Sequence, residues 1–526
     1  MKRTSWFGIG TGAALLLVGQ AAEAQTFAKE DRVLRAIWEE GTARSQVEAL
    51  SQALMDSIGP RLTGTPEHKR GNDWLVSRYT GWGIAARNQQ YGTWLGWRRG
   101  LAHVDLVQPR VRSLEATMLA WSPGTGGREV EGAVVALPEV ADSAAFAAWL
   151  PQVRGKFVMI SYPEPTCRPD DNWEKWALAE TFAKMKRERE AGAQAWVARM
   201  RRTGVAARDL PARLEAAGAA GVLTSYWSDG WGVQKVFRAR TQRVPTFDVS
   251  CEDYGLLYRL AEKGQGPVVR VRADAEFQGE VPVFNTIAEI RGREKPNEYV
   301  ILSAHFDTWD AASGATDNGT GTVTMMEAMR ILKQVYPNPR RTILVGHWSG
   351  EEQGLNGSRG FVADNPRVVQ GAQAVFNQDN GTGRIANIGM QGFTAVGPIF
   401  QQWVARLPRE ISQHIQLDIP GTPGGGGSDY ASFVCAGAPA FNLSSLGWDY
   451  GTYTWHTNRD TYDKISFDDV RNNAVLTAML AYMAAEEPQK LSRARLATLP
   501  PNPNTGQPRS WPTCVEPARS YAQSTR

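Results

Sequence analysis

Three short apolar runs in the second half of the chain are each followed by residues that can bind a metal. The runs are Tyr299 to Leu302, Thr342 to Val345 and Ala374 to Asn377, and their length and composition predict β-strands. Helical stretches lie between and after these runs, at 319 to 335, 358 to 364 and 471 to 486. This alternation predicts an α/β layer structure.

The residues after these strands have the chemistry of a catalytic centre. His305 follows the first run, Glu351 and Glu352 follow the second, and Asp379 follows the third. In α/β sheets, loops at the carboxyl ends of the strands present catalytic side chains over a rigid scaffold. We therefore expect these four residues to lie close together.

Asp317 and His456 are two further candidates. Asp317 lies in a glycine-rich loop before the helix predicted from 319, and His456 precedes the last predicted helix. Taken alone, Asp317 is typical of a helix cap, so a metal-binding role follows only from its combination with the other candidates. The chain has six histidines, and we expect structural roles for His68, His103, His347 and His414.

The adjacent carboxylates Glu351 and Glu352 predict a cation nearby. Two buried anions side by side are costly unless a cation balances them, although a solvated turn is the alternative for the pair alone. With a metal present, one carboxylate can bind it while the other transfers a proton. Asp307 follows His305 by two residues, and we expect its carboxylate to accept a hydrogen bond from the His305 ring.

The candidates resemble, in type and order, the co-catalytic zinc exopeptidases of peptidase family M28. The residues that carry the resemblance are His305, Asp307, Asp317, Glu351, Glu352, Asp379 and His456. Four further segments resemble the family as well, at 58 to 66, 354 to 358, 428 to 430 and 460 to 463. The resemblance implies an α/β, zinc aminopeptidase-like catalytic domain, in which a mixed β-sheet is sandwiched between helices, and two zinc ions per chain.

The resemblance also implies a role for each residue. His305 and Asp379 would hold one zinc, Glu352 and His456 would hold the other, and Asp317 would bridge the two ions. Glu351 would act as the general base, with Asp307 as a second catalytic residue.

One position departs from the pattern of the glutamate carboxypeptidase relatives. Those proteins have a tyrosine just before the last ligand, near the developing oxyanion, whereas Trp455 stands there in this chain. Tyr450, Tyr453 and the zinc ions themselves are left as candidates for stabilising the transition state.

The first 24 residues have the pattern of a secretory signal peptide. Lys2 and Arg3 precede an apolar run, and small residues precede the predicted cleavage after Ala24. The run is short for a transmembrane anchor, the alternative interpretation, so we expect export to the periplasm or the medium without a stable membrane anchor. A formal net charge of +4 is too mild to indicate binding to nucleic acid.

The four cysteines have no spacing that indicates a structural zinc site. Export permits disulfides between them, and the pairing is left open for Cys167, Cys251, Cys435 and Cys514.

Changes of texture predict five segments along the chain. Residues 1–24 form the signal peptide, 25–111 the N-terminal part of the catalytic domain, and 282–490 the main catalytic part, followed by a Pro-rich wrapping tail at 491–526. Residues 112–281 are expected to form an inserted, mostly β domain, although 168 to 208 read as one or two exposed helices. This insertion resembles a protease-associated domain.

The sequence thus predicts an exported metallo-exopeptidase that acts on small peptides or dipeptides. Aminopeptidase or dipeptidase action is favoured over carboxypeptidase action. Two alternatives are a glutaminyl cyclase-like enzyme with a single zinc, and a receptor-like binding protein that has lost metal ligands.

Three tryptophans are candidates for lining a substrate pocket, with core packing as the default: Trp348, Trp448 and Trp455. The run Gly424 to Gly427 forms either a loop near the pocket or a plain surface loop.

Overall fold

The computed structural model describes Phe27 and residues 30–524, so the predicted signal peptide lies outside the described residues. The first elements are helices α1 (Arg32–Ala43), α2 (Val47–Gln52) and α3 (Pro66–Gly81), followed by strand β1 (Ala85–Gln108). Helix α3 begins after Thr65, whose hydroxyl accepts a hydrogen bond from the His68 amide, and Pro66 supplies the preset φ of a first helical residue.

The predicted inserted segment contains both strands and helices. Its elements are β2 (Arg112–Ser113), β3 (Ala116–Met118), β4 (Val130–Ala136), α4 (Ser143–Trp149), β5 (Phe157–Met159), α5 (Asp170–Trp176), α6 (Ala179–Arg202), α7 (Leu210–Ala216), β6 (Gly221–Thr224), β7 (Thr246–Val249) and α8 (Cys251–Glu262), before the long strand β8 (Val268–Ile290).

The expectation that this segment is mostly β needs correction. Strands β4, β5, β6 and β7 are parallel neighbours, and parallel strands require crossover connections, which helices usually provide. The segment is therefore a mixed α/β layer. Its two helices within 168 to 208 agree with the prediction for that stretch.

The remaining elements follow β8. We call this part of the chain, together with the N-terminal helices that pack on it, the catalytic half, because all the candidate metal ligands lie in it. The elements after β8 are β9 (Lys295–His305), α9 (Thr320–Val335), β10 (Arg341–Trp348), α10 (Asn356–Asp364), α11 (Pro366–Gly371), β11 (Ala372–Asn377), β12 (Ile385–Gly389), α12 (Gly397–Val404), α13 (Arg409–Ser412), β13 (Gln416–Asp418), α14 (Tyr430–Cys435), β14 (Ala440–Ser445), α15 (Phe467–Glu486) and α16 (Tyr521–Ser524).

One continuous sheet runs through the inserted segment and the catalytic half. The strand order is β13-β12-β14-β11-β9-β10-β8-β4-β5-β6-β7-β3, and β1 pairs with β8 off this path. Strands β14, β11, β9 and β10 are mutually parallel, whereas β8 runs antiparallel to β10. The long antiparallel ribbon of β1 and β8 links the inserted segment to the catalytic half. The predicted domain boundary at residue 281 therefore falls inside β8.

The core of the catalytic half lies between the sheet and helices α1, α9 and α15. The middle of β9 is fully buried, and so is every residue of α9 from Thr320 to Leu332. Helix α9 is thus covered on all sides from Thr320 to Leu332, not on a single face. Its buried charged residues are paired, since Arg330 donates to Glu327 and to Glu40 of α1.

The tail after residue 491 contacts both the catalytic half and the inserted segment. The Arg519 guanidinium pairs with Asp364 of α10 and donates to the Tyr91 carbonyl of β1. Two disulfides, Cys167–Cys251 and Cys435–Cys514, use all four cysteines, and the second anchors this tail to α14.

None of the helices described between residues 30 and 524 is long and apolar enough to cross a membrane.

We expect the unreduced protein to contain no free thiol. Alkylation under denaturing conditions should leave the mass unchanged before reduction and should label four cysteines after it, because both pairs are oxidised. Mass spectrometry measures this, and a thiol labelled before reduction would contradict the pairing.

Candidate metal centre

The carboxyl ends of three parallel strands meet where the candidate residues lie. His305 ends β9 and stands beside Trp348, the last residue of β10, in the parallel register. Glu351 and Glu352 follow β10 closely, and Asp379 follows β11, which is parallel to β9 on its other side. The sheet therefore delivers these four side chains to one edge, as the sequence predicts.

Asp317 lies between the two candidate histidines. Its Oδ1 is 3.3 Å from His305 Nε2, and its Oδ2 is 3.3 Å from His456 Nε2. The turn that carries it is held by Asp460, whose carboxylate accepts hydrogen bonds from the amides of Thr316 at 2.8 Å and Asp317 at 3.0 Å. The two oxygens of one carboxylate thus face two different imidazoles.

Each histidine has a second carboxylate of its own. His305 Nε2 is 3.0 Å from Asp379 Oδ1, and His456 Nε2 is 2.8 Å from Glu352 Oε2. The ligand atoms of His305, Asp317 and Asp379 lie within 4.8 Å of one another, and so do those of Asp317, Glu352 and His456. The structure therefore contains two sets of metal-binding donors that share Asp317.

The electrostatics of the centre fit a bound cation. Burial raises the pKa of Glu351 and of Glu352 well above the usual range, and nearby carboxylates such as Asp379 add to the effect. Among the described residues, the buried atoms Asp317 Oδ2 and Glu352 Oε1 have no hydrogen-bond partner. Unsatisfied buried acceptors in such a crowd of acids are costly, and a divalent cation would satisfy them.

The donor set suits zinc in particular. Imidazole and carboxylate are ordinary zinc ligands. Burial lowers the pKa of His456 to about 4, although Asp317 opposes the shift, so its imidazole is neutral at pH 7 and able to bind a metal. Burial acts in the same direction on His305, but Asp379 and Glu351 outweigh it and raise the pKa of His305.

Asp307 has a different contact from the one expected. The Nδ1 of His305 is 2.9 Å from the backbone carbonyl of Asp307, not within hydrogen-bond distance of its carboxylate. The carboxylate instead accepts hydrogen bonds from the amides of Glu351 at 3.1 Å and Glu352 at 3.3 Å, and from the Thr63 hydroxyl at 3.2 Å. Asp307 therefore orients His305 through its backbone and the paired glutamates through its side chain.

Arg61 is a residue of the site for which the sequence predicted no role. It is fully buried, and its guanidinium donates to the carbonyls of Gly59, Phe306, Ser313 and Gly314. It thus ties both ends of the stretch from Phe306 to Gly314, between β9 and α9, to the segment around Gly59. Only its place in the segment 58 to 66, which resembles the family, could have drawn attention to it.

Asp460 and Asp429 also lacked a predicted role. Burial raises the pKa of each to about 7, although Asp460 accepts the two amides described above. Asp429 follows the glycine run 424 to 427 and acts electrostatically on Glu351, so that loop leads into the edge of the centre. A motif resemblance alone does not reveal such contacts.

Of the tyrosines left open by the sequence, Tyr450 lies at the centre. Burial raises the pKa of its hydroxyl, and the carboxylates of Asp317 and Asp379 raise it further. Contact with Tyr450 also helps to lower the pKa of Asp317, although burial opposes that shift and the two histidines contribute more. Burial likewise raises the pKa of Tyr453, but the carboxylates that act on it are Asp171, Asp449 and Asp229.

The histidines expected to be structural lie outside the two donor sets. His68 Nε2 is 2.8 Å from the Ser349 hydroxyl, and His347 Nε2 is 2.7 Å from the Tyr79 hydroxyl. Burial lowers the pKa of both to about 3, so both stay neutral near pH 7. The remaining two, His103 and His414, lie on β1 and after α13.

A cavity of about 520 Å³ adjoins the centre. Its lining includes Glu352 and Trp309 from the catalytic half and Tyr226, Phe237 and Arg238 from the inserted segment. Of the three tryptophans considered for a pocket, Trp348 is buried in the core, Trp448 is 63% exposed, and Trp455 stacks on His456 with ring centroids 3.9 Å apart.

Replacing Arg61 with lysine should destabilise the fold. Lysine has three donors on a flexible stem and cannot reach four carbonyls at once, so buried acceptors are left unpaired. We expect the free energy of unfolding to fall by about 3 kcal/mol. Chemical denaturation measures it, with the exposed Arg187→Lys as control, and equal stability of the two variants would contradict this role.

Comparison with protein-family models gives one match. Residues 285–481 match the model of peptidase family M28. This span contains all five predicted metal ligands and Glu351.

Curated relatives cover most of the chain. Carboxypeptidase Q of Bos taurus is 23% identical over 455 residues, which are 86% of this chain and 88% of that protein. Carboxypeptidase Q of Xenopus laevis is 28% identical over 404 residues, 76% of each chain.

Solved structures with the same fold include two bacterial proteins. A peptidase M28 precursor from Shewanella amazonensis aligns with a TM-score of 0.65 at 22% identity, covering 89% of this chain and 98% of its own. A zinc aminopeptidase from Bacillus subtilis aligns with a TM-score of 0.52 at 18% identity, covering 86% of this chain and 97% of its own. Both likenesses confirm the predicted fold class.

Proposed function

We propose that this chain, a metallo-exopeptidase of peptidase family M28, hydrolyses small peptides next to a terminus. Two zinc ions would take part, and the Asp317 carboxylate would be a ligand of both. The observation that carries the proposal is the position of the Asp317 carboxylate, with one oxygen toward His305 and the other toward His456. His305 and Asp379 would hold one zinc ion, and Glu352 and His456 would hold the other, since each pair lies within 3.0 Å.

Two zinc ions would supply Lewis-acid activation of a water molecule and of the scissile carbonyl. Glu351 would accept the proton of the attacking water and deliver it to the leaving amine. Burial, and after it neighbouring carboxylates, raise the pKa of Glu351. Asp307 fixes the backbone of Glu351, so the base is oriented by a buried carboxylate.

Tyr450 is the tyrosine that best fits the stabilisation of developing negative charge. It lies among the ligands, whereas Trp455, at the position where relatives have a tyrosine, stacks on His456. The neutral Tyr450 hydroxyl can donate a hydrogen bond, because burial and the adjacent carboxylates raise its pKa.

The cavity supports action on short substrates. It is bounded by the catalytic half on one side and by the inserted segment on the other, so the inserted segment restricts its size. Relatives named as carboxypeptidases and structural neighbours named as aminopeptidases would both be consistent with a dipeptide, since its scissile bond lies one residue from each terminus. We favour aminopeptidase or dipeptidase action.

The two disulfides support the proposed export. Stable disulfides are typical of proteins in oxidising compartments, such as the periplasm or the medium.

The two alternatives are less consistent with the site. A glutaminyl cyclase-like enzyme with one zinc needs only one donor set, and this chain has two. A receptor-like protein that has lost ligands is not favoured either, because all five ligand positions hold residues that bind zinc.

Replacing Glu351 with glutamine should abolish most of the activity while both zinc ions stay bound. Glutamine keeps the shape but cannot accept the proton, so kcat on a dipeptide should fall by about a thousandfold. Steady-state kinetics and zinc analysis by mass spectrometry measure the two effects.

Asp379→Asn is the matched comparison, since it alters a proposed ligand and should reduce zinc content as well as activity. Near wild-type turnover by Glu351→Gln would overturn the assignment of the base.

A further inference from the structure

The inserted segment reaches the metal centre through the stretch Gly232 to Phe237. Lys235 and Thr457 form an antiparallel bridge between this stretch and the loop that carries His456. The Val236 amide donates to the His456 carbonyl at 3.0 Å, and the Asn458 amide donates to the Gln234 carbonyl at 3.0 Å. The backbone of the ligand loop is therefore paired with the inserted segment at His456 and again two residues later.

The side chain of Asn458 strengthens this pairing. Its Oδ1 accepts a hydrogen bond from the Gln234 amide at 2.9 Å, and its Nδ2 donates to the Gly232 carbonyl at 3.2 Å and to Gln234 Oε1 at 3.3 Å. Gln234 is only 2% exposed, so water does not compete effectively for these bonds.

His456 needs such support because its backbone and its ring lack the usual constraints. Its φ of +60° lies in the left-handed region, which non-glycine residues occupy only where their surroundings hold them. Its buried Nδ1 has no hydrogen-bond partner among the described residues. Most metal-binding histidines are oriented by a hydrogen bond to that second nitrogen.

The contrast with His305 is direct. The Nδ1 of His305 contacts the Asp307 carbonyl at 2.9 Å, within the catalytic half. The His456 ring packs instead against three aromatic rings: Trp455 stacks on it, and Phe237 and Trp309 make T-shaped contacts with centroid distances of 5.3 Å and 6.0 Å. Phe237 belongs to the inserted segment.

We infer that the inserted segment positions His456 for metal binding, so that zinc held by Glu352 and His456 would depend on its docking while zinc held by His305 and Asp379 would not. Gln234, Phe237 and Asn458 are the positioning residues. This inference rests on the proposed function, because it assumes two zinc positions. It assigns the inserted segment a role in completing the centre besides restricting the cavity.

The test is zinc binding by the full mature chain with Asn458→Ala and Asn458→Asp. Alanine removes all three side-chain hydrogen bonds, and the isosteric aspartate loses the donated pair and places a carboxylate against two carbonyl oxygens. Zinc affinity is measured by competition with a chelator, and zinc content by mass spectrometry. Thermal unfolding of the metal-free variants monitors the fold independently of activity.

We expect both variants to lose affinity at one zinc position by about tenfold to a hundredfold and to leave the other position unchanged. Asn365→Ala is the control, because Asn365 makes a similar side-chain bond to Phe361 at the end of α10 and should retain both ions. If Asn458→Ala does not fold, Asn458→Asp retains the volume and decides the question.

Two results separate this inference from the proposed function. Two zinc ions in the wild type, with affinities in both Asn458 variants that are unchanged or equally weakened at the two positions, overturn the inference alone. A wild type that holds no second zinc overturns the proposed function and this inference together.

Discussion

The crowding of carboxyl groups at one edge of a buried sheet is the constraint on which the rest of this molecule depends. Asp307, Asp317, Glu351, Glu352 and Asp379 surround two imidazoles in a region largely withdrawn from water. Like charges so close together raise one another's pKa unless cations are present. Such a cluster is expected where a protein holds divalent metal ions, because buried carboxylates repel one another when no cation balances their charge.

The surrounding structure supports this cluster with buried hydrogen bonds. Arg61 holds the stretch that leads from His305 to Asp317, Asp307 fixes the glutamate pair, and Asp460 fixes the turn of Asp317. Each support comes from a different part of the chain, from residue 61 to residue 460. The centre is thus a product of the complete fold, and the inserted segment contributes to it through the loop of His456.

The three strands before His305, Glu351 and Asp379 could be predicted because their signals are local. Apolar runs that end in His305, Glu351 or Asp379 indicate strands, and parallel strands bring their carboxyl ends together. The supports could not be predicted in this way, because contacts such as those of Arg61 with Ser313 join residues far apart in the chain. The contact of Asp307 was misassigned because the backbone carbonyl, whose position the spacing does not reveal, lies nearer to His305 than the carboxylate. The inserted segment was described as mostly β because its short strands are conspicuous, whereas helices α4 and α7 have only 7 residues each and give little periodicity.

The most direct test of the shared Asp317 carboxylate is anomalous diffraction at the zinc edge from crystals of the zinc-loaded mature protein. Two peaks about 3.5–4 Å apart, one near His305 and Asp379 and one near Glu352 and His456, with Asp317 between them, are the predicted result. A single peak, or two peaks that do not share Asp317, would contradict the proposed two-zinc centre.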